Sequence, residues 1–124
     1  MARVLLIEDE QWMADCYTQW LQAVGHTVRH VRDAQDALDE LDDTLPHLIL
    51  LDLFLPHANG IQLLQTLRSH MDLSRIPIIL CSTALPPESL PLEAYGVVSV
   101  VDKAVVSPRS LQQTVGEALR HATV

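Results

Sequence analysis

The chain contains 124 residues, of which 48% are hydrophobic, and eight basic against sixteen acidic residues give a formal net charge of −8. This length suits one domain with its own hydrophobic core, and this composition excludes a disordered chain. Lysine and arginine form no cluster, so we expect no direct binding to nucleic acid. No apolar run reaches the length of a membrane span and no signal peptide is evident, so we expect a cytoplasmic protein without membrane insertion.

The first half of the chain predicts two pairs of a strand and a helix. Residues 3–7 form a short apolar run, typical of a strand buried on both faces. Residues 10–24 have the spacing of a helix that ends before Gly25, and its apolar residues are Trp12, Met13, Cys16, Trp20, Leu21 and Val24. A weaker strand over residues 27–31 precedes a second helix, for which Asp33 is a good N-terminal cap.

The second half of the chain continues the alternation. An apolar run ends at Asp52, and a helix follows Gly60. Residues 76–81 and 97–101 are further buried strands, and Ser107, followed by a proline, is a good start for the last helix. Five strands that alternate with helices predict an α/β fold with a parallel sheet and helices on both of its faces.

The segment before the fifth strand is the weakest of the expected helices. Residues 85–95 (LPPESLPLEAY) contain three prolines, and a proline inside a helix removes a backbone donor and breaks or kinks the helix. We therefore expect the fourth helix to be short or irregular and to begin near Glu88, or this segment to be mostly loop. No repeat or linker divides the chain, so we expect residues 1–124 to form one domain.

Polar residues gather at the carboxyl ends of four predicted strands, which is where ligands bind in sheets of this kind. They are Glu8 and Asp9 after the first strand, Asp52 at the end of the third, Ser82 and Thr83 at the fourth, and Asp102 and Lys103 at the fifth. Carboxylates within about 4 Å of one another repel by several kcal/mol. A hard divalent cation with oxygen ligands, Mg²⁺ above all, would relieve this repulsion. Each residue alone would be interpreted as an exposed polar group, but the set predicts a site.

Four stretches of the chain resemble the receiver domains of two-component response regulators. They are VLLIEDE (4–10), LILLDLFLPHANG (48–60), PIILCST (77–83) and VVDK (100–103). The resemblance extends over essentially the whole chain. It implies a flavodoxin-like, doubly wound sheet of five parallel strands in the order 2-1-3-4-5.

The resemblance also implies a role for individual residues. By position, Asp52 is similar to the aspartate that accepts the phosphoryl group, and Lys103 to the lysine that pairs with this group. Lys103 is the only lysine beside seven arginines, and an ammonium acts there as a compact point charge. Ser82 falls at the position of the switch hydroxyl, and Thr83 is its alternative. These roles describe a phosphoacceptor site.

The same resemblance implies a set of ligands for Mg²⁺. Glu8 and Asp9 are similar to the acidic pair that holds the ion in receiver domains. Asp52 itself and the backbone carbonyl of Phe54 complete the implied ligand set.

Two positions depart from the family pattern. The family usually has a proline after the lysine, often with a cis peptide bond, whereas this chain has Ala104. A cis bond before a residue other than proline costs about 3 kcal/mol, so we expect a trans bond and a different direction for Lys103. The family also usually has an aromatic residue three positions before the lysine, whereas this chain has Val100. We therefore expect intact phosphorylation with an unusual readout.

The function that these patterns favour is a signalling module switched by phosphorylation. A histidine kinase or a histidine phosphotransfer protein would supply the phosphoryl group, and a downstream protein target or an output domain would read the change. Such a domain catalyses only its own phosphorylation and dephosphorylation, so it is not an enzyme in the usual sense.

Other function classes remain as alternatives. A receiver-like interaction module could bind its partner regardless of phosphorylation, and this alternative is motivated by Val100, Ala104 and the prolines of residues 85–95. An enzyme of the haloacid-dehalogenase type would need a second acid two residues after Asp52, where Phe54 stands. A dinucleotide-binding domain would need a glycine-rich loop after the first strand, and this chain has none.

Overall fold

The computed structural model describes residues 2–53, 60–83, 86 and 89–122, without the side chain of residue 122. Within these residues, strands and helices alternate along the chain. They are β1 (Arg3–Ile7), α1 (Gln11–Gln22), β2 (Thr27–Val31), α2 (Ala34–Asp43), β3 (Leu48–Asp52), α3 (Gly60–Ser69), β4 (Ile78–Ser82), the 3₁₀ helix η1 (Glu93–Tyr95), β5 (Val97–Asp102) and α4 (Pro108–Ala122). The strands pair in parallel in the order β2-β1-β3-β4-β5, which confirms the predicted fold.

The centre of the sheet is buried on both faces, as its continuous apolar strands predicted. The prediction of a buried strand over residues 97–101 is wrong in part, because β5 lies at the edge of the sheet and Val98 and Val100 are 54% and 38% exposed. Every residue of β3 and of β4 is buried. One face packs against α2 and α3 through residues such as Leu41 and Leu64, and we call it the α2/α3 face. The other packs against α1 and α4 through residues such as Tyr17 and Leu111, and we call it the α1/α4 face. Burying one such side chain stabilises the fold by about 1.5–3 kcal/mol.

The helices α2 and α4 begin directly after the capping residues that the sequence predicted, Asp33 and Ser107. Asp33 accepts a hydrogen bond of 2.8 Å from the backbone N–H of Asp36 at the start of α2. The hydroxyl of Ser107 accepts one of 3.1 Å from the backbone N–H of Ser110 at the start of α4. Both predicted caps are confirmed, because each satisfies a donor that the first helical turn leaves open. Within the described part of the chain, every helix is too short or too polar to cross a membrane.

The buried side of α1 differs from the prediction. The residues of α1 that the structure buries are Ala14, Tyr17 and Leu21. Trp12, which the sequence pattern counted among the apolar side, is 68% exposed, and Val24 beyond the helix is 48% exposed. The reason is that the stripe facing the sheet follows i, i+3 and i+7 from Ala14, and a stripe of that spacing does not include Trp12.

Where the structure describes it, the segment before β5 contains only a short helix, as predicted. Its only regular element among the described residues is η1, with three residues. Gly96 ends η1 with φ of 81°, a conformation that favours glycine, and the N–H of Val97 donates to the carbonyl of Leu92 at 3.0 Å. The predicted start near Glu88 lies outside the described residues.

Gly60 lets α3 begin against the end of β3. A Cβ atom at this position would overlap the backbone oxygen of Leu53 and would lie 2.8 Å from its carbonyl carbon. Backbone atoms cannot yield as the tip of a flexible side chain can. The first residue of α3 is therefore restricted to glycine by close packing.

We predict that Gly60→Ala lowers the free energy of unfolding by about 1–3 kcal/mol, the usual cost of overpacking a buried position. The matched control is Gly116→Ala inside α4, where the nearest atom to a new Cβ is an Arg120 nitrogen at 3.7 Å. The control should gain up to about 1 kcal/mol, because alanine favours a helix over glycine. Chemical denaturation measures both values, and a Gly60→Ala variant as stable as the wild type would contradict the close contact.

Candidate functional site

Three charged side chains project from the α1/α4 face at the carboxyl edge of the sheet. Side chains alternate along a strand, so residues two apart lie on the same face. Leu6, Leu50 and Val101 all belong to the core of the α1/α4 face. The residues two positions beyond them are Glu8, Asp52 and Lys103. Alternation therefore brings these three charges to one place, although they lie at or directly after the ends of three different strands, β1, β3 and β5.

The pairing of the strands extends to this edge. The N–H of Glu8 donates to the carbonyl of Val31 at 3.0 Å, which continues the β1–β2 ladder past Ile7. Asp52 is the register partner of Cys81 in β4. The N–H of Lys103 donates to the carbonyl of Ser82 at 3.0 Å. Backbone hydrogen bonds thus hold the ends of the strands in place beneath the charged groups.

Lys103 bridges the two buried carboxylates. Its Nζ atom donates to Oε1 of Glu8 and, at 3.1 Å, to Oδ2 of Asp52. The three side chains are 10%, 1% and 8% exposed for Lys103, Glu8 and Asp52. These ion pairs are therefore shielded from water, and their electrostatic interaction is stronger than at the surface.

The pKa values reflect this confinement. Burial first, and then the adjacent Asp52 carboxylate, raise the pKa of Glu8 from 4.5 to about 7, although Lys103 acts in the opposite direction. Burial would lower the pKa of Lys103, but its hydrogen bond to Glu8 and the charges of Glu8 and Asp52 together raise it. Lys103 is therefore an ammonium at neutral pH, while Glu8 binds a proton more tightly than an exposed glutamate does.

The carboxylates of Glu8, Asp9 and Asp52 form a group suited to a cation. One oxygen atom from each lies within 4.8 Å of the others, and Asp9 is partly exposed, so the group can be reached from solvent. Three carboxylates against one ammonium leave an excess of negative charge. Oxygen ligands of this kind are those that Mg²⁺ and Ca²⁺ prefer. The donor set therefore fits a hard divalent cation.

The two hydroxyl residues differ in their surroundings. Ser82 is the last residue of β4 and is 2% exposed, whereas Thr83 is exposed. Ser82 also lies beside the charged group through its backbone bond to Lys103. Phe54, whose carbonyl is the fourth implied ligand, lies outside the described residues.

The turn after Lys103 shows the effect of the missing proline. The Lys103–Ala104 peptide is trans, as expected. The N–H of Ala104 donates to Oδ1 of Asp102 at 2.8 Å, a bond that proline could not make. Asp102 is exposed and caps this turn, so it does not join the group of carboxylates. Lys103 nevertheless reaches both Glu8 and Asp52, and the trans bond does not direct it away from them.

Sequence reasoning did not identify Tyr17 as part of these surroundings. Tyr17 is fully buried in the α1/α4 face together with Cys81, the register partner of Asp52. The signal in the sequence was the i+3 spacing of Ala14 and Tyr17, which the two tryptophans of the same helix obscured.

Known proteins are similar to this chain in sequence. Regulator of RpoS from Escherichia coli (strain K12) is 31% identical over 77 residues, which cover 62% of this chain and 23% of that protein. The phosphate regulon transcriptional regulatory protein PhoB from Rhizobium meliloti (strain 1021) is 32% identical over 110 residues, which cover 89% of this chain and 47% of that protein. The chain thus spans about a quarter and about half of the lengths of these two curated relatives.

A solved structure has the same fold. The CheY-like response regulator receiver domain protein from Methanospirillum hungatei JF-1 superposes with a TM-score of 0.88, covering 99% of this chain and 97% of that chain at 23% identity. The family model of the response regulator receiver domain matches residues 4–115. The family implies a signalling switch rather than a classical enzyme. This chain therefore belongs to the response regulator receiver domain family.

Proposed function

We propose that this chain is a signalling module that accepts a phosphoryl group on Asp52 from a histidine kinase or a histidine phosphotransfer protein, in a reaction that requires Mg²⁺. The observation that carries the proposal is the contact of one ammonium, Lys103, with two buried carboxylates at the carboxyl edge of the sheet. We further propose that residues 1–124 form one such domain, that it works in the cytoplasm, and that it signals through protein contacts rather than nucleic acid.

The cation would be held by the group described above. Glu8, Asp9 and Asp52 would supply carboxylate oxygens, and the backbone carbonyl of Phe54 is the further ligand that the family resemblance implies. When bound, Mg²⁺ would neutralise charge on the oxygens of the phosphoryl group.

The transfer itself demands little covalent chemistry from the protein. An oxygen of Asp52 attacks the phosphorus of a phosphohistidine in line, forming an O–P bond while the N–P bond breaks. The electron pair of that bond goes to the imidazole nitrogen of the donor, which takes up a proton. Positioning and charge neutralisation lower the barrier of such a transfer. Lys103 can supply part of this neutralisation, because its Nζ atom already lies 3.1 Å from Oδ2 of Asp52.

The readout would begin at Ser82, with Thr83 as the alternative. A hydroxyl that donates to the new phosphoryl oxygens would draw the end of β4 towards Asp52. The bond from the N–H of Lys103 to the carbonyl of Ser82 ties β5 to this movement. Val98 and Val100 of β5 are 54% and 38% exposed, so a shift of this strand would alter an apolar surface that a protein target or an output domain can bind.

Asp52 should be the sole site of phosphorylation. After incubation with acetyl phosphate and Mg²⁺, intact mass should increase by one phosphoryl group in the wild type and in the control Asp72→Asn, an exposed aspartate away from the site. Asp52→Asn and a sample with chelator should show no increase. Modification that persists in either of these samples would refute the assignment of Asp52 or the need for the cation.

The metal-free domain should lose stability as the pH rises. The pKa of Glu8 is higher in the folded chain than its ordinary value of 4.5, so its favourable contribution is complete below pH 4.5 and is lost as the pH rises through about 7. Asp52→Asn removes the neighbouring carboxylate that helps to raise the pKa of Glu8. This variant should therefore raise Tm by several degrees at pH 8, and by less at pH 5.

Asp72→Asn is the control for this experiment, because it makes the same change in net charge at an exposed position. Millimolar Mg²⁺ should also raise Tm of the wild type, and that of Asp52→Asn by less. Equal Tm values of the wild type with and without Mg²⁺ would exclude a metal site.

The phosphorylated state should be long-lived. Hydrolysis needs a water in line with the phosphorus, and in receiver domains polar side chains two residues after the aspartate or after the switch hydroxyl help to place it. This chain has Phe54 and Ala84 there, whose side chains cannot hydrogen-bond a water. Phe54→Asn with Ala84→Glu should speed the decay about tenfold, which equals about 1.4 kcal/mol of activation free energy.

The control for the lifetime is Phe54→Leu with Ala84→Val, which keeps both positions apolar and should decay as the wild type does. Mass spectrometry of the phosphorylated protein over time measures all three rates. A polar double variant that decays no faster than the apolar one would refute the role of these positions in placing water.

A further inference from the structure

Two buried oxygen atoms have no hydrogen-bond partner among the described residues, and both belong to side chains on the α1/α4 face of the sheet. They are the hydroxyl oxygen of Tyr17 and Oε2 of Glu8, in side chains that are 0% and 1% exposed as residues. A buried polar atom without a partner costs about 1–3 kcal/mol, so native structures rarely keep one. Two such atoms on the same side of the sheet call for a common explanation.

The direction of the helix brings the Tyr17 hydroxyl towards Glu8. The α1 helix begins beside the carboxyl edge, where Glu10 caps its first turn. Helical side chains lean towards the N-terminus of their helix, so a long side chain at position 17 points back to that edge. Tyr17 packs in the same core as Leu6 and Cys81. Leu6 precedes Glu8 by two residues and so lies on the same face, and Cys81 in β4 is the register partner of Asp52.

The electrostatic surroundings of Tyr17 agree with this position. Burial first, and then the nearby Cys81, Glu8 and Asp52, raise the pKa of the phenol above its usual value. The phenol is therefore a neutral donor of one hydrogen bond. Lys103 already donates to Oε1 of Glu8. The other oxygen of this carboxylate, Oε2, is the acceptor without a partner.

We propose that Tyr17 is a positioning residue for the cation site, and that its hydroxyl donates to one buried water which in turn donates to Oε2 of Glu8. This water can give its second hydrogen to the Cys81 thiol, so that it has the two to four polar partners that a buried water requires. Anchoring Oε2 prevents the carboxylate from rotating and keeps Oε1 directed at Lys103 and Asp52. This inference rests on the proposed binding of Mg²⁺ by Glu8, Asp9 and Asp52.

The first test uses the metal-free protein. Tyr17→Phe removes the hydroxyl alone and should lower Tm by about 4 °C, because Glu8 then loses its anchored partner. The matched control is Tyr95→Phe, whose hydroxyl accepts a hydrogen bond of 3.4 Å from Gln65 beside η1 and which should leave Tm unchanged. If the phenol were simply an unpaired polar group, its removal would raise Tm. A Tm equal to or above that of the wild type would overturn the proposal.

The second test measures the Kd for Mg²⁺ by calorimetry, at a temperature at which all variants are fully folded. A change in stability alone would not alter Kd there. Tyr17→Phe should weaken binding about tenfold, the usual effect of losing a group that orients a metal ligand, and Tyr95→Phe should not. Equal Kd values for the wild type and Tyr17→Phe would overturn the positioning role while leaving the proposed function intact. A wild type that does not bind Mg²⁺ would overturn the proposed function, and the Tm of Tyr17→Phe would still decide whether the water bridge exists.

Discussion

The site depends on one ammonium shared between two buried carboxylates. Glu8 directly follows β1 and Asp52 is the last residue of the neighbouring β3, and both side chains are buried, so two charges without partners there would cost several kcal/mol. The order of the strands places Glu8 and Asp52 side by side but separates both from Lys103, because β4 lies between β3 and β5. Lys103 must therefore reach across β4 to meet Asp52, and Glu8 lies one strand further, so the contact needs a long side chain. The residue beneath this path is Cys81, which pairs in register with both Asp52 and Val101 and is small enough to leave room.

This requirement explains why the turn after β5 is so well bonded. The backbone of Lys103 is tied to Ser82, and Asp102 caps the turn through the N–H of Ala104. In this chain the Lys103–Ala104 peptide is trans, and one backbone bond and one bond to the Asp102 side chain fix the turn. Lys103 reaches the two carboxylates in this arrangement without a following proline. The bond from the N–H of Lys103 to the carbonyl of Ser82 also couples the lysine to the end of β4, which is the strand that carries the hydroxyl proposed as the switch.

Function and stability oppose each other at this edge. Burial and the adjacent Asp52 raise the pKa of Glu8 to about 7, so the folded chain disfavours the charge that Glu8 would carry as the proposed metal ligand. The continuous apolar strands below the site offset this cost, since every residue of β3 and β4 is buried. On the proposed function, a bound cation would relieve this repulsion and stabilise the domain, so cation binding and conformational change would be linked.

The sequence by itself determined the elements and the identity of the charged group. Short apolar runs gave the strands, Asp33 and Ser107 marked helix starts, and the carboxyl ends of parallel strands had to meet at one edge. All of these follow from local patterns and from the rule that parallel strands share a direction. The matching stretches of the chain then indicated the receiver family, to which it belongs.

Only the tertiary structure decided which groups touch. It assigned Asp102 to a turn rather than to the carboxylate cluster, left Trp12 exposed, and buried Tyr17 in the core of the α1/α4 face. A sequence pattern records the spacing of residues along an element. It does not record the tilt of a helix against the sheet or the direction of each side chain, and these depend on packing between elements that are distant in the chain.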